Sequence, residues 1–213
     1  MLTVYGRATS SNVQALLWGM EEMALSYTRL DYGEVYGGLD APTFRALTPH
    51  GKIPVLTDGD DAIWETAAIL RYLAGKHGSD AFWPKEGMAK AHVDMWAEWA
   101  KHSVADAFTG PVFWRTARTR TENRDADLIA RNLARLNEEL AKADSQLSDN
   151  AYLCGGDLTL ADIQLGHVLF RYFDIDIPRP DMPGLRAYFD RLAARPAYQK
   201  TVMVSYDALK NTF

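Results

Sequence analysis

A change of hydrophobic period near residue 80 divides this chain into halves that cannot share one architecture. Up to Asp80, short apolar runs alternate with helix-like stretches; beyond it, nearly all the apolar residues recur at helical spacing. The segment Lys76-His77-Gly78-Ser79-Asp80-Ala81-Phe82-Trp83-Pro84 breaks helix, and its two aromatic residues suit a linker pinned against a domain surface. The reading is therefore an α/β domain over 1–80 followed by an all-α domain over 88–213, with no internal repeat.

In the first half, Leu2 to Tyr5 reads as a buried strand and Asn12 to Met23 as a helix with Val13, Leu16, Leu17 and Met20 on one face. Tyr27 to Leu30 reads as a second strand, and a short helix lies near Ala41 to Leu47. The runs Ile53 to Thr57 and Ala62 to Trp64 flank Asp58-Gly59-Asp60-Asp61, which predicts a hairpin. Thr66 to Lys76 closes the half as a helix. The order βαββ with interleaved helices, βαβαββα in full, is that of a thioredoxin-like α/β sandwich.

In the second half, Met88 to Phe108 reads as a long helix, interrupted at Gly110-Pro111, after which the proline can open a new helical segment. Ile129, Leu133, Leu136, Leu140, Ala143 and Leu147 form a buried stripe, too short for a coiled coil. Thr159-Leu160-Ala161-Asp162 predicts a helix start, with Asp162 closing back on the Thr159 amide.

Composition excludes several functions. A formal charge of −5 lacks the clustered cations of a nucleic-acid binder. One cysteine, Cys154, rules out an intramolecular disulfide and a CxxC pair, and it reads as a buried small hydrophobe. His92, His102 and His167 make no ligand spacing, so no metal is expected. No basic stretch followed by an apolar run opens the sequence, and no segment reaches the roughly 18 apolar residues of a membrane helix, so a cytoplasmic protein with no membrane partner is expected.

Three phrases, Thr48-Pro49-His50-Gly51-Lys52-Ile53-Pro54-Val55-Leu56, Trp64-Glu65-Thr66-Ala67-Ala68-Ile69 and Leu158-Thr159-Leu160-Ala161-Asp162, in this order on an α/β-then-helical chain, resemble the cytosolic glutathione S-transferases. The likeness runs along the whole chain and is nearest to the serine-using bacterial-type members. It implies a homodimeric transferase that adds the glutathione thiolate to a small electrophile, glutathione being the co-substrate. A non-catalytic glutathione-binding or scaffold protein, or a glutathione-dependent isomerase or peroxidase, would share the fold.

Glutathione presents two carboxylates, an ammonium, a peptide backbone and a thiol, and the resemblance implies a complement for each. A cis Ile53-Pro54 step would turn the Ile53 amide and carbonyl toward the cysteinyl backbone. Thr66, with the free amides of a helix start, suits the γ-glutamyl carboxylate, and Glu65 suits its ammonium. Lys52, with His50 nearby, suits the glycyl carboxylate. The thiol, with an ordinary pKa of about 8.5, needs a donor and the positive end of a helix to ionise at neutral pH. Thr9-Ser10-Ser11-Asn12 lies between the first strand and first helix, where that donor is required. Ser10 resembles the family's serine, Ser11 would donate second or cap the helix, and Asn12 would hold sulfur or backbone. Thr9 and Ser11 stay open as alternatives, and Tyr5 lies inside the strand. Phe108, Val112, Phe113, Trp114, Arg115 and Arg118, near the expected helix break, are the candidate lining of the electrophile pocket; Trp96 and Trp99 read as packing residues.

Overall fold

The computed structural model describes residues 1–213. Four short strands, β1 (Leu2–Tyr5), β2 (Tyr27–Leu30), β3 (Val55–Asp58) and β4 (Asp61–Trp64), form one mixed sheet in the order β2-β1-β3-β4. β1 runs parallel to β2 and antiparallel to β3, with Val4 opposite Leu56, and β3 pairs antiparallel with β4. Gly59, at φ +64°, makes the two-residue β3–β4 turn possible, since only a residue without Cβ enters that region cheaply. β3 starts at Val55, two residues later than the sequence reading, and the Ile53–Pro54 peptide that precedes it is cis.

Three helices accompany the sheet: α1 (Ser11–Glu22), α2 (Pro42–Arg45) and α3 (Thr66–His77). α1 is buried from Val13 to Met20 on every side, as a helix held between two layers must be. One of those layers is the sheet domain; the other is the helical half. There, α4 (Gly87–Trp99) is followed by π-helical turns over Ala100–Ala105, one α-turn α5 (Asp106–Phe108) and further π-helical turns over Thr109–Arg118.

The helical path therefore runs through Gly110-Pro111 without the expected interruption, in π-helical turns rather than as a new helix opened by the proline. A π-helical turn widens the ring at the position where the proline has no amide to give, and the Asn132 amide of the next helix donates to the Pro111 carbonyl at 3.0 Å. Val112 and Phe113, both buried, hold the widened segment against the core. α6 (Ala126–Leu147) buries Leu133, Leu136, Leu140, Ala143 and Leu147, while Ile129 is only half-buried at its start.

α7 (Leu160–Asp174) is the hub, followed by α8 (Pro183–Ala193) and α9 (Pro196–Thr201). Its N-terminus is fixed by the fully buried Asp162 carboxylate. One oxygen accepts the Thr159 amide and hydroxyl at 2.8 and 2.9 Å; the other accepts the Leu153 amide at 2.9 Å and the Tyr188 hydroxyl at 3.0 Å. This is the predicted capping contact, extended by two partners from outside the helix. α7 approaches α1 closely because Gly166 leaves no Cβ; one placed there would meet the Trp18 ring and Leu192 at 2.7 Å. Trp18 stacks edge-on against Tyr198 at 4.8 Å, and Glu22 at the end of α1 makes a two-pronged ion pair with Arg195, at 2.6 and 2.7 Å. Trp96 and Trp99 pack against the core, edge to face at 5.0 Å. No helix is long and apolar enough to cross a membrane.

Candidate active site

The N-terminus of α1, the loop before β3 and the β4–α3 junction meet at one edge of the sheet. A pocket there is lined by Asn12, Thr48, His50, Lys52, Ile53, Pro54, Trp64, Glu65 and Thr66. All five residues read from the sequence as glutathione contacts, Lys52, Ile53, Pro54, Glu65 and Thr66, thus share a cavity with Asn12.

Each is placed by its local backbone. The Ile53 amide and carbonyl lie outside the strand ladder and pair with no other backbone group. Glu65 sits at the N-cap of α3 with φ +69°, a left-handed conformation that costs a non-glycine residue on the order of 1 kcal/mol or more. Its carboxylate makes no capping bond, so the α3 N-terminus is left with free amides beside a free acid. Thr48 is buried and its hydroxyl has no partner, which marks a polar group facing the pocket that the sequence reading passed over. His50 lies edge-on to Trp64 at 4.6 Å.

The hydroxyl loop is built tightly. The Ser10 amide donates to the Arg7 carbonyl at 3.1 Å, and the buried Gln14 amide group donates to the Ala8 carbonyl at 3.0 Å. Ser10 is the N-cap of α1, in extended conformation (φ −80°, ψ 124°), yet its side chain makes no capping bond. Ser10 is half-buried, whereas Ser11, the first residue of the helix, is buried. Thr9 contributes its carbonyl, which accepts from Arg171 at 2.7 Å.

Lys101 is the functional candidate that the sequence reading missed. Its ammonium donates to the Asn12 side-chain oxygen at 3.1 Å and lies 3.5 Å from Asp106. The contact joins residues 89 apart, and nothing in the local pattern around Lys101 announces it. It brings a cation from the helical half to the first turn of α1.

The candidate electrophile residues separate. Phe108 and Phe113 are buried core residues, their ring centroids 5.9 Å apart, packed inward with Val112. Trp114 and Arg115 line an outer groove with Phe213 and Leu128, to which no residue of the sheet half contributes. Arg118 is buried and points toward Glu34 of the sheet half, 3.1 Å away. Cys154 is half-buried, and burial pushes its thiol up to about 11, which leaves it inert at neutral pH.

Comparisons with known proteins agree along the whole chain. Residues 4–81 match the family "Glutathione S-transferase, N-terminal domain", and residues 101–196 match "Glutathione S-transferase, C-terminal domain". The chain is 29% identical over 206 residues to glutathione S-transferase GstB of Escherichia coli K12, covering 96% of this chain and 99% of that one. It is 32% identical over 211 residues to glutathione S-transferase 3 of Zea mays, covering 94% and 93%. Among solved structures, the theta class glutathione S-transferase from Xanthomonas axonopodis pv. citri with glutathione bound is 40% identical, with a TM-score of 0.90 and coverage of 96% and 98%.

Proposed function

The chain belongs to the glutathione S-transferase family, and from that premise we propose that it is a serine-using member in which Ser10 holds the glutathione sulfur as thiolate. Glutathione is the co-substrate of this transferase. The observation behind the assignment is the Ser10 hydroxyl: it stands at the start of α1, and capping does not consume it. A hydroxyl donor and the positive end of a twelve-residue helix both favour the charged form of a thiol. If together they lower its pKa by about 2 units, they supply roughly 2.7 kcal/mol. Ser11, one position into the helix and buried, is less open to an incoming sulfur.

The rest of the tripeptide follows the pocket. The γ-glutamyl carboxylate takes the α3 amides and Thr66, its ammonium takes Glu65, and the cysteinyl backbone pairs with Ile53. The glycyl carboxylate takes Lys52. Asn12, steadied by Lys101, borders the sulfur end. The thiol proton passes to solvent, and the thiolate then forms a carbon–sulfur bond with the electrophile as the bond broken at that carbon leaves its electron pair on a departing group, or on the neighbouring atom of a double bond that takes up a proton. Residues 1–80 bind glutathione, and the helical domain over 88–213 supplies the second-substrate side. Tyr72, Met88 and Met95 leave apolar surface exposed on α3 and α4, which favours a homodimer. The absence of a spanning helix is compatible with a cytoplasmic location.

Ser10→Ala tests the assignment. Glutathione affinity by calorimetry should change little, because most contacts lie elsewhere. Turnover at neutral pH should fall about ten- to a hundredfold, since one hydrogen bond to a charged group contributes roughly 1.5 to 3 kcal/mol. The loss should shrink as pH rises and solution chemistry makes the thiolate unaided. Equal rates for both proteins from pH 6 to 9, with the larger loss in Ser11→Ala, would transfer the role to Ser11.

A further inference from the structure

Three arginines from distant parts of the chain converge beside the hydroxyl loop, and one carboxylate pairs with two of them. Arg7 follows β1, Arg118 ends the π-helical segment, and Arg171 lies on α7. Their side chains are 14%, 3% and 3% exposed. A single oxygen of Glu34 lies 3.1 Å from both Arg7 and Arg118. Arg171 has no acidic partner; it donates to the Thr9 carbonyl and lies over the Phe113 and Tyr206 rings at 4.8 and 5.6 Å. The nearest acid on its own helix, Asp174, is engaged by the Tyr206 hydroxyl. The Nε atoms of Arg7 and Arg171 are buried without any partner.

Three guanidinium groups against one carboxylate leave an excess of positive charge out of water, an arrangement that stays costly until an anion answers it. Burial pushes Arg171 down to about 10, and Arg7 and Arg118 contribute to that shift by repulsion. Glu34 itself is the least settled member. It occupies the left-handed region at φ +52°, between Gly33 at +83° and the pair Gly37 and Gly38, and its side chain is 35% exposed. A group reaching the arginines from solvent would meet Glu34 first.

The location ties the cluster to the chemistry. Arg171 holds the carbonyl immediately before Ser10, and the Arg7 carbonyl holds the Ser10 amide. The five residues assigned to glutathione lie in the separate pocket that Asn12 borders. We propose, resting on the reading of Ser10 as the sulfur donor, that the second substrate is a small electrophile bearing a carboxylate, which replaces the Glu34 side chain on Arg7, Arg118 and Arg171. The planar fork of arginine matches the two oxygens of a carboxylate, the group that Glu34 already presents to Arg7 and Arg118. The reacting carbon then lies within a few bonds of the docked carboxylate.

Iodoacetate and iodoacetamide form the test, since they differ in charge and little in size. With either, the glutathione sulfur displaces iodide: the carbon–iodine bond breaks with its electron pair on iodide, the carbon–sulfur bond forms, and the thiol proton goes to buffer. kcat/KM is measured for both by conjugate formation and divided by the uncatalysed rate constant. The wild-type enhancement should be about tenfold or more greater for iodoacetate, the value of one charge-assisted contact to the anion. Arg7→Gln should abolish that preference, and Glu34→Gln, which removes the internal competitor, should raise it. Because Arg7 is mostly buried, a measurement on the wild type stands beside the variant: acetate should inhibit competitively with iodoacetate, and acetamide should not. Turnover of iodoacetamide without any preference for iodoacetate, or inhibition by neither additive, overturns the inference while leaving Ser10 in place. A tenfold loss of glutathione affinity in Arg7→Gln with the preference intact would show that the cluster binds a carboxylate of glutathione instead. No turnover of either reagent, with no glutathione binding, refutes both readings.

Discussion

His167 should make the fold sensitive to mild acid. The ring lies on α7 with 1% exposure, and Nδ1 is 3.2 Å from the Ile163 carbonyl. A carbonyl only accepts, so Nδ1 carries the proton of the neutral ring. Charging the imidazole would put a second proton on Nε2, which is buried without a partner. Desolvation, followed by the nearby Lys101 and then Arg171, holds its pKa down at about 3. An unfolded chain takes up that proton near pH 6.5. The folded pKa is depressed for a base, so the native state gains nothing from protonation until near pH 3, while the unfolded state is stabilised below about 6.5. Stability contributed by the neutral ring is therefore complete above pH 6.5 and falls away as pH drops toward 3. Between pH 8 and pH 5 the linkage amounts to about 2 kcal/mol, a sizeable part of the usual 5–15 kcal/mol of a domain.

Equilibrium urea unfolding of the wild type and His167→Asn at both pH values isolates this. The asparagine amide takes the place of Nδ1 as donor and does not titrate. The wild type should lose about 2 kcal/mol more than the variant on going from pH 8 to pH 5. Its His167 ring resonances should stay fixed over that range. Equal losses in the two proteins, or a ring that titrates in the native state near pH 6, would refute the reasoning.

Two further perturbations test other parts of the structure. Asp162→Ala removes the acceptor for two buried amides and two hydroxyls; with the hydroxyls free to reorient, the stranded amides should cost about 3–5 kcal/mol, read as a lower urea midpoint at unchanged slope. Lys101→Met removes the cation held 3.1 Å from Asn12, and the thiolate absorbance of bound glutathione should titrate roughly half a pH unit higher; an unchanged titration would deny Lys101 any part in ionising the thiol.

The strand and helix periods were legible because each half keeps one spacing for long stretches, and the turn at Gly59 and the cap at Asp162 are local chemistry within four residues. The pocket around Asn12 was legible for a different reason: its parts come from short phrases whose order along the chain carries the likeness. What the sequence hid is long-range. Nothing adjacent to Lys101, Arg118 or Arg171 tells that their partners are Asn12, Glu34 and Thr9, and a lone arginine on a helix reads as a solvated face. Gly110-Pro111 misled in the opposite direction. Proline lacks the amide of an α-helix interior, yet here the chain stays helical by widening into π-helical turns, while Asn132 anchors the segment from the next helix through the Pro111 carbonyl.

The seam between α1 and α7 also bears on how such a chain can evolve. One hydrophobic cluster of 47 residues runs through both halves, so the junction near residue 80 divides the polypeptide without dividing the core. Trp18 against Gly166 and Tyr198, and Glu22 against Arg195, are matched pairs whose members sit on opposite sides of that junction. Recombination at the linker would separate each pair from its complement, leaving a buried acid unanswered and a tryptophan facing a side chain where it needs a glycine. The two halves are therefore expected to be inherited together, and exchange of whole halves to succeed only between relatives that share this seam.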